Sequence, residues 1–280
     1  MTHYSVLLGS GGGGQNATNF ELRGSNQSFT ITVPTGYNAI HFSFAAGGGG
    51  GGCRGTDYDK AGGESSGPAG GSGAYISDVI YSVSEGASYS AATGRGGSPG
   101  NQTANFGHPK TAGAGTTTRV NGLFSLTGGG GGRTFGGGVQ GPLTNGSGGS
   151  RGTFSQSGTR ITSGFFFSNN DLITIGNVSE LRTGPRGTFN QSGNGTAGGW
   201  NGNCGGDNCR IGGTTGASSY GGSIAGGSGG SSSGNGTRGG NGSRGSGGGG
   251  GAAQVNTGST NGGSGGGGEM SYRFLYVFGT

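Results

Sequence analysis

The stretch that decides the fold is SFTITVPTGYNAIHFSFAAGGGGGG, residues 28–52. Apolar and polar residues alternate over Phe29–Val33 and again over Ala39–Phe44, and this period of two predicts two β-strands. Pro34 and Gly36 between them favour a turn, because proline fixes φ and glycine accepts a positive φ. The second strand runs directly into the six glycines, whereas a flexible linker would lie between polar flanks. These glycines are therefore predicted to be part of the fold.

The composition of the whole chain also indicates that glycine is part of the folded structure. Glycine supplies 82 of the 280 residues, while charged residues supply only 9% and hydrophobic residues 26%. No Gly-X-Y repeat covers the chain and there are only 6 prolines, which excludes collagen. Apolar segments recur between the glycine runs, and this recurrence argues against low-complexity disorder.

An ordered glycine run needs many favourable interactions to offset its lost conformational entropy. Fixing a backbone residue costs about 1–2 kcal/mol, and glycine loses the most freedom. Packed polyproline-II helices of glycine provide it, since their backbones approach closely and hydrogen-bond to one another. Several runs are available for such packing. We therefore predict an all-β protein in which antiparallel sheets or a sandwich combine with packed polyglycine-II helices, and we find no convincing α-helix.

The predicted organisation has three parts: an N-terminal strand and attachment segment over 1–28, a glycine-rich β domain over 29–135, and a glycine-rich region with variable loops over 136–280. Residues 74–93 are interpreted as a hairpin, and Val120–Leu126 as a third strand region, which enters the glycine run 128–132. A second hairpin is predicted over Phe165–Ile175. The last strand, within 271–278, is apolar on both faces and is expected to return to the N-terminal sheet.

The charge, the apolar segments, the N-terminus and the cysteine content exclude several classes of protein. The net charge of +5 is spread without a basic block, so nucleic-acid binding is not inferred, and no segment approaches the roughly 20 apolar residues of a membrane span. The N-terminus lacks the features of a signal peptide. Cys204 and Cys209 form either a tight disulfide or a coincidental pair, and three cysteines make no disulfide framework.

No catalytic or cofactor-binding pattern emerges. The three histidines are far apart in sequence and lack neighbouring ligands, and His41 is predicted to be a surface residue. Asp57 and Asp59 form a close pair, but a calcium site or a glycosidase would need further oxygen ligands or an opposing carboxylate. The expectation is a protein that is not an enzyme and that uses no metal or cofactor.

The residues favour a function in molecular recognition. The candidate contact residues are aromatic and arginine side chains in glycine-rich loops. Such side chains dominate interface hot spots because they bury much area for few lost rotamers. RGTFSQSG at 151–158 and RGTFNQSG at 186–193 match at seven of eight positions, so packing of Phe154 and Phe189 against glycine segments is the alternative to contact. The candidate receptor-binding residues are Tyr58, Arg151, Phe154, Arg186, Phe189, Trp200, Arg210 and Tyr220.

The residues 28–135 resemble a known family. An alternating strand, Val33-Pro-Thr-Gly36, a second alternating strand and six glycines resemble the glycine-rich domain of bacteriophage tail fibre and tail tip proteins. Gly70-Gly-Ser-Gly-Ala-Tyr75 and the segment 77–97 fit the same pattern. The resemblance implies a virion protein, made in the host cytoplasm, that recognises a bacterial surface protein or glycan at the tail tip or fibre. Other tail proteins are implied partners, and a homotrimer would be in keeping with tail parts.

Three functions therefore stand as hypotheses. The first is a receptor-binding protein, or adhesin, that displays loops on a glycine-rich scaffold. The second is a purely structural subunit of the tail tip or fibre. The third, more remote, is an ice-binding or surface matrix protein, which would require threonines or alanines at a sustained period of three.

Overall fold

The fold is described from a computed structural model of the 280-residue chain. The residues that it describes are 17–52, 69–100, 110–134, 146–147, 149–168, 171–176, 180–182, 210–211, 240–242, 244–245, 253–254 and 262–279. These residues contain β-strands and no helix, which confirms the all-β prediction for this part of the chain.

The strands are numbered in chain order, and most are short. They are β1 Glu21–Arg23, β2 Ser28–Thr32, β3 Ala39–Ala46, β4 Tyr75–Ser82, β5 Ser88–Ala92, β6 Lys110–Thr111, β7 Thr118–Val120, β8 Phe124–Leu126, β9 Arg133–Thr134, β10 Gly146–Ser147, β11 Phe154–Gln156, β12 Phe165–Ser168, β13 Asp171–Thr174, β14 Glu180–Arg182, β15 Arg210–Ile211, β16 Ala253–Gln254 and β17 Met270–Leu275.

Two five-stranded antiparallel sheets form the body of the fold. Sheet A has the order β1-β17-β3-β4-β14, and sheet B has the order β11-β8-β7-β5-β2. The sheets pack face to face, because one continuous hydrophobic cluster draws buried residues from both. Strands from both sides of residue 135 pair with each other in each sheet, as β17 does with β3 and β11 with β8.

Aromatic side chains fill the centre of this sandwich. Phe42 of sheet A is fully buried. Its ring lies 4.9 Å from that of Phe124 in sheet B, and 6.1 and 6.0 Å from the rings of Tyr81 and Tyr272. Burial raises the pKa of Tyr81 to about 12. Fully burying one such aromatic contributes roughly 2–3 kcal/mol by area.

The outer face of sheet A carries a second, smaller cluster. Ala39, Ile80 and Leu275 alternate with the residues that face sheet B, and they pack against Phe166 and Ile175 at the β12–β13 hairpin. The predicted hairpin over Phe165–Ile175 is therefore confirmed as β12 paired with β13. Sheet A is buried on both faces where the hairpin covers it.

The six glycines after β3 are all buried, and each of their N–H groups donates to a neighbouring segment. The bonds follow a period of three. Gly47 and Gly50 donate to Ala74 and Gly71, Gly48 and Gly51 to Thr116 and Gly113, and Gly49 and Gly52 to Gly266 and Gly263, all at 2.8–2.9 Å. A period of three is the donation pattern expected of packed polyproline-II helices, which have about three residues per turn and so aim successive N–H groups at three different neighbours.

Among the described residues, six segments surround this central run and together with it form what we call the glycine array. Neighbouring segments in the ring are joined by backbone hydrogen bonds, many of them three residues apart, as in Gly265 to Gly97 and Gly268 to Gly94. The six segments, in order around the ring, are 69–74, 127–132, 111–116, 94–100, 262–268 and the stretch that includes Gly242 and Gly245. Residues 149–152 bond to the outside of 69–74 and 127–132.

Close approach explains why the centre of the array is glycine. A Cβ built on Gly50 would overlap the carbonyl group of Gly130, and one on Gly48 would overlap that of Arg95. Because the obstacle is backbone in both places, no rotamer change can relieve it. The hydrogen-bond pattern is the one expected for packed polyglycine-II helices, whose conformation itself remains a prediction.

One detail of the predicted pairing is wrong, and one predicted strand region is subdivided. Residues 74–93 do not form a hairpin, because β4 pairs with β3 in sheet A while β5 pairs with β2 in sheet B. The Val120–Leu126 segment is two strands, since Gly122 has a φ of +83° and turns β7 back onto β8. An Asn-Gly pair, here Asn121-Gly122, is a strong hairpin signal.

Candidate functional site

Three connections of the chain leave and re-enter the described structure at one shared end of the glycine array. The central run starts at the end of β3 and stops at Gly52, which accepts a hydrogen bond from Gly100 of the neighbouring segment. We call this end, which points away from the sheets, the distal end. Residues 53–68 leave the array at Gly52 and re-enter at Ala69, two residues beyond Gly71, which bonds to Gly50. Both ends of that loop therefore lie at the distal end.

Two further connections have their described ends at the same place. Residues 101–109 connect Gly100 to β6, and residues 135–145 connect β9 to β10. Strands β6, β9 and β10 form a small antiparallel sheet in the order β10-β9-β6, with Thr134 paired to both Lys110 and Gly146. Strand β9 directly follows segment 127–132, and β6 leads into segment 111–116, so this sheet lies at the distal end.

Two predicted recognition residues, Arg151 and Phe154, lie on the flank of the array and sheet B. Arg151 is exposed, and Phe154 on β11 has an exposed fraction of 39%. Gly152 between them is buried and donates to Ser72. The Thr153 N–H donates to the Thr127 hydroxyl at 2.7 Å, which fixes the start of β11. Among the described residues, Phe154 belongs to neither hydrophobic cluster, and its ring is partly exposed.

One further predicted site residue lies among the described residues. Arg210 lies on β15, whose backbone pairs with β16 at Gln254. The predicted site residues that fall outside the described residues are Tyr58, Arg186, Phe189, Trp200 and Tyr220, together with Cys204 and Cys209.

Sequence reasoning missed one polar cluster, which is centred on His41. The prediction of a surface histidine is wrong, because only 9% of His41 is exposed. Its Nε2 lies 3.3 Å from Oδ1 of Asp78, and its Nδ1 accepts a hydrogen bond from Nε of Arg273 at 3.2 Å. The guanidinium of Arg273 in turn lies 4.4 Å from the centre of the Phe20 ring and 5.3 Å from that of Phe166.

The electrostatics of this cluster keep the imidazole neutral. Burial, and next the positive charge of Arg273, lower the pKa of His41 to about 4, against the opposing effect of Asp78. Both ring nitrogens are engaged, so the imidazole is poorly placed to act as a general base. The cluster instead joins the N-terminal segment, sheet A and the β12–β13 hairpin. Alternation placed His41 opposite the core face, but it could not reveal that the hairpin covers that face.

No group of three or more His, Cys, Asp and Glu side chains is placed to hold a metal ion among the described residues. Within the described ranges, no helix is long and apolar enough to cross a bilayer.

Comparison with known proteins gives a family for the chain. No curated protein sequence matches it. The sequence model of the glycine-rich domain matches residues 23–275, a span that takes in sheet B, the described glycine array and all of sheet A except the first two residues of β1. Because the match covers most of the sequence, the chain belongs to the glycine-rich domain family.

Proposed function

We propose that this protein is a bacteriophage tail-tip or tail-fibre adhesin, which binds a bacterial surface protein or glycan through loops carried on the glycine array. The observation that carries the proposal is the shared distal end, from which residues 53–68, 101–109 and 135–145 all depart. Loops on a rigid scaffold are the usual place for binding residues, because sequence can vary there without loss of the core. The array supplies rigidity through backbone hydrogen bonds on every side.

The residues proposed for contact combine this end with the adjoining flank. Tyr58 falls within 53–68, and Arg151 and Phe154 lie exposed on the flank. Arg133, also exposed, begins β9 at the distal end. An aromatic ring with nearby arginines suits both protein hot spots and the sugar rings and anionic groups of a bacterial surface.

The test is adsorption to bacteria. Fluorescently labelled protein is expected to bind susceptible cells and to compete with phage adsorption. Phe154→Ala and Tyr58→Ala should weaken both, while Leu172→Ala, which removes an exposed apolar side chain from the β12–β13 hairpin, should weaken neither. Circular dichroism of each variant checks that the fold is retained. Folded protein that binds no susceptible strain would contradict the proposal.

The second candidate is a structural subunit of the tail. Exposed apolar side chains away from the distal end favour it, among them Leu22 at 62% exposure and Leu172 at 54%. Such side chains suit contacts with other virion proteins. A Leu22→Ser variant that leaves cell binding intact but blocks incorporation into virions would assign this surface to tail assembly, and both functions would then reside in one protein.

A further inference from the structure

The four outer strands of sheets A and B differ in how they are protected from pairing. Strand β1 has three residues and carries a Glu21–Arg23 ion pair of 2.7 Å, and β14, also of three residues, contains Glu180 and Arg182. Strand β11 has three residues. Proteins keep sheet edges from pairing by making them short, charged, bulged or interrupted by proline. These three edges follow that rule.

Strand β2 does not follow it. Its sequence SFTIT has five residues with no charge and no proline, and it is rich in residues that favour strands. In the part of the chain that the structure describes, β2 pairs with β5 on one side and with nothing on the other. Ser28, Thr30 and Thr32 are exposed.

The hydrogen-bond parity shows which backbone groups face outward. Thr93 donates to Gln27 and Val33 donates to Ala87, both at 2.9 Å, so the odd-numbered residues direct their N–H and C=O groups towards β5. In an antiparallel ladder the alternate residues direct theirs the other way. The N–H and C=O groups of Ser28, Thr30 and Thr32 therefore line the outer edge of sheet B. The chemistry that satisfies such a row is another extended strand.

We propose that this edge pairs with β2 of a second copy of the chain, in antiparallel register about a twofold axis at Thr30. The sequence is complementary to itself in that register. Thr30 faces its own copy, Ser28 faces Thr32, and Phe29 faces Ile31. Threonine–threonine pairs and aromatic–β-branched pairs are favourable cross-strand neighbours. Ser28, Thr30 and Thr32 would then exchange hydrogen bonds with the copy, and two five-stranded B sheets would become one.

The side chains on the inner face of β2 are compatible with this strand pairing. Phe29 is only partly buried, with its ring stacked 6.5 Å from Tyr272 and the Arg23 guanidinium 4.9 Å from its centre. In the pair, the ring would gain the neighbouring Ile31 of the copy. A single strand pairing buries little area, so the dimer is expected to be weak and to depend on concentration.

The first test is the association state of the whole chain by sedimentation velocity over a wide concentration range. The chain should pass from monomer to dimer. Thr30→Pro removes an N–H that bonds to no other described residue of the protomer, and proline is tolerated at such edge positions. It should weaken dimerisation on the order of a hundredfold, from the loss of the two hydrogen bonds at the twofold axis, with the circular dichroism spectrum unchanged.

Opposite charges placed at Thr30 in two variants test the proposed register, and their mixture controls for any loss of folding. Thr30→Lys alone and Thr30→Glu alone should each dimerise less than the native chain, because like charges lie directly opposite at the axis. An equal mixture of the two variants should restore the dimer. Ser125→Lys is the matched control, since it puts the same charge on β8 in the interior of the same sheet, and it should leave association unchanged.

Amide exchange gives a residue-level signature. The N–H groups of Thr30 and Thr32 should exchange more slowly at high protein concentration, while those of Phe29 and Ile31, already bonded to β5, should not change. A chain that stays monomeric at every concentration would overturn the proposal. So would a dimer that Thr30→Pro leaves intact, or a trimer as the smallest assembly.

Discussion

The sandwich and the glycine array are stabilised by opposite means within one continuous chain. The sandwich buries large side chains, with Phe42, Tyr81 and Tyr272 almost inaccessible to solvent. The array has almost no side chains in its interior, and its central residues donate backbone hydrogen bonds to three neighbouring segments and accept them from two more. A sandwich should therefore be sensitive to the removal of atoms, and an array to their addition. Strand β3 connects the two directly, so both effects are measurable on one molecule.

The largest effect should come from removing atoms from the sandwich. Phe42→Ala deletes a ring that contacts aromatics of both sheets, and the cavity together with the lost burial should cost about 3–5 kcal/mol. Urea unfolding followed by circular dichroism measures the change in the free energy of unfolding. A loss below about 1 kcal/mol would mean that the array, rather than the sandwich, supplies most of the stability.

The next effect is a pH dependence of stability, which is expected from the sandwich and not from the central run of the array. His41 has a pKa lowered to about 4 in the folded chain, against an ordinary value near 6.5. The unfolded chain thus binds the extra proton first, so stability is complete above about pH 6.5 and falls as the pH drops towards 4. The loss should approach about 3 kcal/mol, and it should level off below pH 4.

His41→Gln provides the control for this pH dependence. Glutamine keeps polar atoms in the cluster but does not titrate in this range, so its stability should lack the fall between pH 6.5 and 4. The central run of the array consists of glycine and contributes no titration of its own. Unfolding curves that are the same at pH 4 and pH 7 for the native chain would contradict the buried position of His41.

These differences also explain how far the sequence could predict the structure. Alternation in Phe29–Val33 and in Ala39–Phe44 predicted strands correctly, because a period of two reports directly which residues share a face. It cannot report the partner of a strand, so β4 and β5 were assigned to one hairpin although they lie in different sheets.

The candidate site was less predictable for a related reason. Arg151 and Phe154 could be proposed from residue type, and the structure places both at the surface. The shared distal end of the loops depends on which glycine segment bonds to which. Poly-glycine carries no side-chain pattern that specifies those pairings, whereas the register of a strand is specified by its buried face.

Adding one carbon to the array should have a smaller but clear effect. Gly50→Ala places a Cβ against the backbone of Gly130, and the resulting overpacking should cost about 1–3 kcal/mol despite the lower entropy of the unfolded chain. Gly176→Ala is the matched control, because a Cβ there meets nothing within 4 Å and φ is not positive. Thermal unfolding of both variants measures the difference. Equal stabilities would show that the array yields to added atoms.

The smallest effect isolates backbone conformation from packing. Gly36 lies in the turn between β2 and β3 with a φ of +86°, and a Cβ there would meet nothing within 4 Å. Gly36→Ala should therefore cost about 1 kcal/mol from the left-handed backbone alone. Gly36→Asn should recover part of that loss, because asparagine tolerates this region better than alanine. Urea unfolding of Gly36→Ala and Gly50→Ala compares the two costs. If they were equal, steric exclusion would not distinguish the array from an ordinary turn. The contrast between the array and the sandwich would then rest on hydrogen bonding alone.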